Sequence, residues 1–180
     1  MNLVQPIRDK ETIQSIKKWL KGKNERNYIL FLFGINTGMR VSDILKLRVK
    51  DVEGWSVFIR EGKTKKTKEV RMPSELKKAV REYCKGKQKN EFLFKSRIGK
   101  NKPITRGMAY VILQEVADQF GLERIGTHSF RKTYGYHHYK QFKDVAVLQQ
   151  MLNHSDPKIT LRYIGITQDN LNAYQSKLKI

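Results

Sequence analysis

The run "YILFLFGI", residues 28–35, constrains the fold of this 180-residue chain more than any other. It is far shorter than the roughly 20 apolar residues that span a bilayer, and it has no polar face to present to water. It is therefore predicted to be a buried helix, stopped at Gly38, around which other elements must pack. Ile13, Ile16 and Leu20 recur at helical spacing after Asp9 and predict a first helix over residues 10–21. After the buried helix, Ser42 is expected to cap a short helix, "DILKLR". "WSVFIR" (55–60) and "KEVRM" (68–72) are β-prone runs that the basic connection "EGKTKKT" joins into a hairpin. Ser74 then opens a helix through Cys84.

"KGKQKN" (85–90) reads as a solvated loop and is the one candidate for an internal linker, and "EFLF" (91–94) reads as a short strand. Thr105 caps an amphipathic helix that stops at Gly121. More helix is predicted over 128–139 and 143–152. Asp156 as N-cap and Pro157 at the first helical position open another short helix. A last helix over 169–178 shows Leu171, Tyr174 and Leu178 on one side. The expected fold class is mainly α with a small antiparallel β-sheet (α+β).

Charge narrows the partner. Lys and Arg total 37 against 17 Asp and Glu, a formal net charge of +20 that no single tail carries. Such a field attracts a polyanion, with nucleic acid ahead of a membrane surface, because no basic helix with a broad apolar face stands out. Cys84 is the only cysteine, so no intrachain disulfide can form and a reducing compartment is expected. The start, "MNLVQPIRDK", has no apolar run suited to a signal peptide.

The sequence has no phosphate-cradling G-x-x-x-x-G-K-[ST], no H-E-x-x-H and no paired cysteines at zinc spacing. Carboxylates are few and scattered, whereas a two-metal site needs them clustered. Three stretches carry the candidate chemistry instead. In "THSFRKTYGYHHYK" (127–140), His128 and Arg131 are three apart and share a helix face, pairing a proton carrier with a forked phosphate donor. In "NTGMRVSDILKLRVKDV" (36–52), Arg40 lies at a glycine turn among apolar neighbours, and the acceptor that a buried arginine needs is expected from Asp43 or a DNA phosphate. In "LNHSDPKITLRYIGI" (152–166), His154 precedes the Asp156-Pro157 break and Tyr163 follows it. Taken alone, Tyr163 reads as well as a core tyrosine at helical spacing from Ile159.

Taken together, these boxes resemble the catalytic domain of the tyrosine recombinase (phage integrase) family over residues 5–175. "TGMRVSDILKLRVKDV" is similar to its first arginine box, with Arg40 and the following Asp43. "HSFRKTYG" matches the H-x-x-R box through His128 and Arg131, and the last box matches through His154 and Tyr163. Asn153 stands where glycine is commoner. The family's catalytic lysine lies in the hairpin, where Lys63 is the best match by position after Gly62, with Lys65, Lys66 and Lys68 close by. Those three and Lys132 are expected to contact DNA.

The resemblance implies double-stranded DNA as partner, a monomer in solution and a homo-tetramer on DNA, no cofactor, and a cytoplasmic site of action in a bacterium or phage-infected cell. It implies Tyr163 as nucleophile forming a 3′-phosphotyrosyl link, with Arg40, Arg131 and His154 around the phosphate. His128 would help to move the tyrosine proton, and Lys63 would protonate the leaving 5′-oxygen. The expected organisation is a single catalytic domain, with a core over about 5–166 and a C-terminal tail or helix over 167–180. The N-terminal core-binding domain usual in the family is expected to be absent. The tail has two expected dockings, on a neighbouring protomer or on its own domain. Two readings stay open beside recombination: a silent DNA-binding member of the fold, and strand relaxation of the type IB topoisomerase kind.

Overall fold

The computed structural model of the chain describes residues 4–60, 62 and 67–178. Helix α1 (Lys10–Lys23) is capped by Asp9, which accepts from Thr12 N, and buries Ile13, Ile16 and Leu20. Helix α2 (Glu25–Thr37) is the predicted buried helix. Asn24 caps its start, and Gly38, left-handed at φ 62°, ends it. Because α2 is apolar all round, it is covered on several sides, by α1, by α4 (Ser74–Tyr83) and by α6 (Thr127–Phe142). Gly34 is where α2 and α6 touch: a Cβ there would lie 2.3 Å from the Phe130 ring.

Helix α3 (Val41–Ile44) follows α2 directly, and Arg40 holds its N-cap position with extended backbone. Ser42, expected as that cap, is exposed within the helix instead. The chain leaves the Gly38 turn already extended at Arg40, so helical geometry begins two residues early. A 3-10 turn, Val49–Val52, leads to the antiparallel pair β1 (Ser56–Arg60) and β2 (Thr67–Arg71). Their register pairs Val57 with Val70 and Arg60 with Thr67, so Val57, Ile59 and Val70 face the core.

The predicted strand at 91–94 is reduced to isolated bridges, Arg48 with Phe92 and Lys95 with Pro103. Leu93 and Phe94 are buried as a strand would bury them, but the facing chain turns into the 3-10 segment after one rung, so no ladder extends. The 85–90 loop is tied back to that turn, with Lys50 N donating to Lys89 O at 2.9 Å.

Helix α5 (Arg106–Phe120) has the predicted Thr105 and Gly121 caps. Helices α7 (Val145–Leu152), α8 (Pro157–Tyr163) and α9 (Ile166–Gln175) complete the described elements, and Asp156 caps α8 as its sequence predicted. Helix α9 begins three residues earlier than expected, after Gly165 at φ 87°. Its Leu171 and Tyr174, and Leu178 beyond its end at Gln175, are 52%, 77% and 70% exposed, while Asp169 in its first turn pairs with Arg8 at 2.8 Å.

The buried apolar residues form two clusters. The larger one gathers α1 to α5, the hairpin and Phe130, and the smaller one is Tyr136, Leu148, Leu152, Ile164 and Ile166, flanked by Tyr134, Leu161 and Tyr163. Helix α6 belongs to both. No helix among the described residues is long and apolar enough to cross a membrane.

A Gly34→Ala substitution tests the α2–α6 contact. Its helix propensity is better, yet the new methyl overlaps a buried ring whose surroundings cannot shift freely. Urea unfolding is expected to give a net loss of about 1–3 kcal/mol.

Candidate active site

Arg131 is 3% exposed, one turn into α6, and faces two helix ends at once. Its Nη1 donates to Gly38 O at 2.6 Å, and its Nη2 donates to Leu152 O. Both acceptors are C-terminal carbonyls, which lack intrahelical partners and carry the negative end of the helix dipole. Arg131 is also close enough to Tyr163 for its charge to favour the ionised phenol. Arg131 therefore sits where the two apolar clusters meet.

The other predicted residues gather around it. Arg40 enters from the α2–α3 junction, close enough for its charge to act on His128, His154 and Tyr163. Asp43, three residues on and buried, turns the other way: its Oδ1 accepts from Gly62 N at 3.2 Å and lies 3.9 Å from Lys46 Nζ. Its Oδ2 is buried with no hydrogen-bond partner among the described residues. Asp43 thus anchors the hairpin connection to α3. Lys63, Lys65 and Lys66 lie outside the described residues.

Asn153 ends α7 in the left-handed region, at φ 52°. Glycine suits that conformation best, and asparagine tolerates it better than most L residues do, which accounts for the exchange noted in the sequence. His154 follows at once. Its Nδ1 is 3.0 Å from Thr160 Oγ1, and its ring meets the Tyr163 ring edge to face, with centroids 5.0 Å apart. Gln149 Nε2 holds His154 O at 3.1 Å.

Two lysines depart from the positions their expected roles need. Lys132 was expected to contact DNA, but it is 6% exposed, with Nζ 5.0 Å from the centroid of the Tyr163 ring. As Arg131's neighbour on a helix packed on both sides, it is turned inward under the tyrosine. Lys68 is partly buried on β2 and donates to Met151 O, tying the hairpin to the end of α7. Thr160, fully buried, is the residue that the sequence reading missed. Its position on α8, three before Tyr163 and four after the Asp156 cap, was the available signal.

The site is rich in cations, and the ionisations follow. Burial pushes the Tyr163 phenol above its ordinary value, opposed by the charges of Arg131 and Arg40. Burial, then Arg131 and Arg40, hold His154 below the usual histidine range. His128 is accessible to solvent, yet partial desolvation and then Arg106, Arg131, Lys132 and Arg40 lower it too. Both imidazoles are thus neutral at neutral pH and can accept a proton. Phenol, imidazoles and paired guanidiniums so arranged can bind a phosphate diester and move protons around it.

The chain matches the family model described as "Phage integrase family" over residues 8–169. It is 52% identical over 174 residues to "Probable integrase/recombinase YoeC" of Bacillus subtilis (strain 168), covering 96% of each chain. It is 32% identical over 155 residues to "Tyrosine recombinase XerD" of Corynebacterium glutamicum, covering 82% of this chain and 50% of the relative. Among solved structures, the XerH site-specific recombinase bound to palindromic difH substrate, a post-cleavage complex, aligns with a TM-score of 0.71. That pair is 21% identical and covers 97% of this chain and 53% of the other.

The chain's four histidines are all held below the ordinary histidine value, chiefly by burial. The unfolded chain therefore takes up more protons as acid is added, and the native state is disfavoured. Stability is expected to be complete above about pH 6.5 and to fall as pH drops through that value toward the lower folded-state pKa values. Urea midpoints measured across this window check the sign. With the family model spanning most of its length and a relative identical at half its positions, the chain belongs to the phage integrase family of tyrosine recombinases.

Proposed function

We propose that this protein is a site-specific DNA recombinase that cuts and rejoins strands through a 3′-phosphotyrosyl intermediate on Tyr163, without metal or ATP. The observation that carries this reading is the meeting of Tyr163 with Arg131, Arg40 and His154 at the junction of the two clusters, since a lone core tyrosine needs no such company. Family membership and the DNA-bound state of the XerH neighbour support it.

In this reading Tyr163 Oη attacks the scissile phosphorus. A phenol with a pKa of about 10 or above is a weak nucleophile, so a base must take its proton. Neutral His128 is suited to that role. Arg40, Arg131 and His154 face the non-bridging oxygens, where charge grows in the pentavalent transition state. The bond from phosphorus to the 5′-oxygen breaks, and that oxygen leaves as a hydroxyl after taking a proton from Lys63. Asp43, through Gly62, holds the connection that carries this lysine. One phosphate ester replaces another, so bond energy is conserved and the step reverses when a partner strand's 5′-hydroxyl attacks. Two exchanges recombine two duplexes.

The remaining assignments are a single catalytic domain, monomeric in solution and tetrameric on DNA, acting in the cytoplasm of a bacterial host.

Incubation with supercoiled plasmid in EDTA, quenched with detergent, is the test. Covalent protein–DNA adducts and relaxed plasmid are expected with the wild type and absent with Tyr163→Phe. Adducts that persist in the variant would place the nucleophile elsewhere. A two-site recombination assay separates recombination from simple relaxation.

DNA affinity is expected to fall linearly on a log–log plot against salt, with a slope of about −0.9 per neutralised phosphate. Because Lys132 lies under Tyr163, Lys132→Met is expected to leave that slope unchanged. A slope shallower by about one unit would mark Lys132 as a phosphate contact after all.

A further inference from the structure

We propose that Thr160 is a positioning residue for His154, its hydroxyl donating to Nδ1 and thereby placing the ring proton on Nε2. Its consequence for catalysis rests on the recombinase reading, but the tautomer itself does not.

The geometry of three atoms carries the inference. Thr160 Oγ1 is 3.0 Å from His154 Nδ1 and 3.4 Å from Asp156 O, and Thr160 is fully buried. A hydroxyl has one proton to give. The carbonyl lies well beyond the ordinary hydroxyl–oxygen distance of about 2.8 Å, whereas the imidazole nitrogen is within normal reach. Asp156 O is also already the acceptor for Thr160 N at 3.2 Å, as the helix requires. The better bond is therefore from hydroxyl to Nδ1. The opposite arrangement, with Nδ1–H donating to Oγ1, leaves the hydroxyl proton only the long contact.

Fixing the tautomer matters because His154 is neutral in this site. The groups facing it are Arg40 from the α2–α3 junction, Arg131 from α6, and Thr160 and Tyr163 from α8. No carboxylate among the described residues acts on it, and the two guanidiniums disfavour a second ring proton. A neutral imidazole with its proton on Nδ1 presents a lone pair at Nε2, which repels a phosphate oxygen. With the proton on Nε2 it presents a donor beside those of Arg131 and Arg40. The helical spacing of Thr160 and Tyr163, three apart on α8, sets nucleophile and tautomer from one short element.

Long-range proton–nitrogen correlation spectra of the 15N-labelled, DNA-free protein, recorded at about pH 8 where histidines are neutral, read the tautomer directly. His154→Gln identifies the signals by their loss. The Nε2–H tautomer is expected in the wild type and in Thr160→Ser, which keeps the hydroxyl. Thr160→Val, similar in shape, is expected to give a mixture or the Nδ1–H form. A wild-type ring protonated on Nδ1, or a Thr160→Val spectrum like the wild type's, overturns the proposal. In the plasmid assay at saturating DNA, Thr160→Val is expected to form adducts about ten- to a hundred-fold more slowly, and Thr160→Ser to restore the rate. Equal rates in all three would overturn the catalytic consequence. A wild type without adducts would instead refute the recombinase reading, leaving the tautomer result standing.

Discussion

A buried guanidinium must be satisfied on every side, and Arg131 meets that demand by joining the ends of two helices. Its bonds to Gly38 O and Leu152 O satisfy carbonyls that α2 and α7 cannot pair internally. Each acceptor lies at the negative end of a helix dipole, so these two bonds also compensate part of the buried charge. Removing Arg131 would leave two orphaned carbonyls at the boundary between the apolar clusters.

The rest of the site follows from that boundary. The larger cluster holds α2, which brings Arg40, and the hairpin, whose Gly62 N donates to Asp43. The smaller cluster holds α7 and α8, which bring His154 and Tyr163. Lys68 donates across from β2 to Met151 O, so the hairpin touches the second cluster as well. Helix α6 spans both clusters, with Phe130 in the larger and Tyr136 in the smaller.

Electrostatics then assign the states of the groups. In a site with Arg40 and Arg131, burial and like charge keep His128 and His154 neutral. The same positive charge opposes the effect of burial on Tyr163, so the phenol is less disfavoured as an anion than its surroundings alone would make it. Lys132, beneath the tyrosine ring, adds a third nearby cation.

Local pattern alone made much of this legible. The uniform apolarity of residues 28–35 determined a buried central helix, and caps such as Asp9, Thr105 and Asp156 determined where helices begin, because capping is a matter of neighbouring residues. The order of the motifs also identified Arg40, Asp43, His128, Arg131, His154 and Tyr163 as candidates. The short strand at 91–94 was misread because its ladder depends on whether a distant segment stays extended. Packing alone decided that Thr160 meets His154, that Lys132 points inward, and that Arg131 spans two helix ends. Spacing shows which residues share a face of a helix, but what that face meets is set only when distant elements close on it.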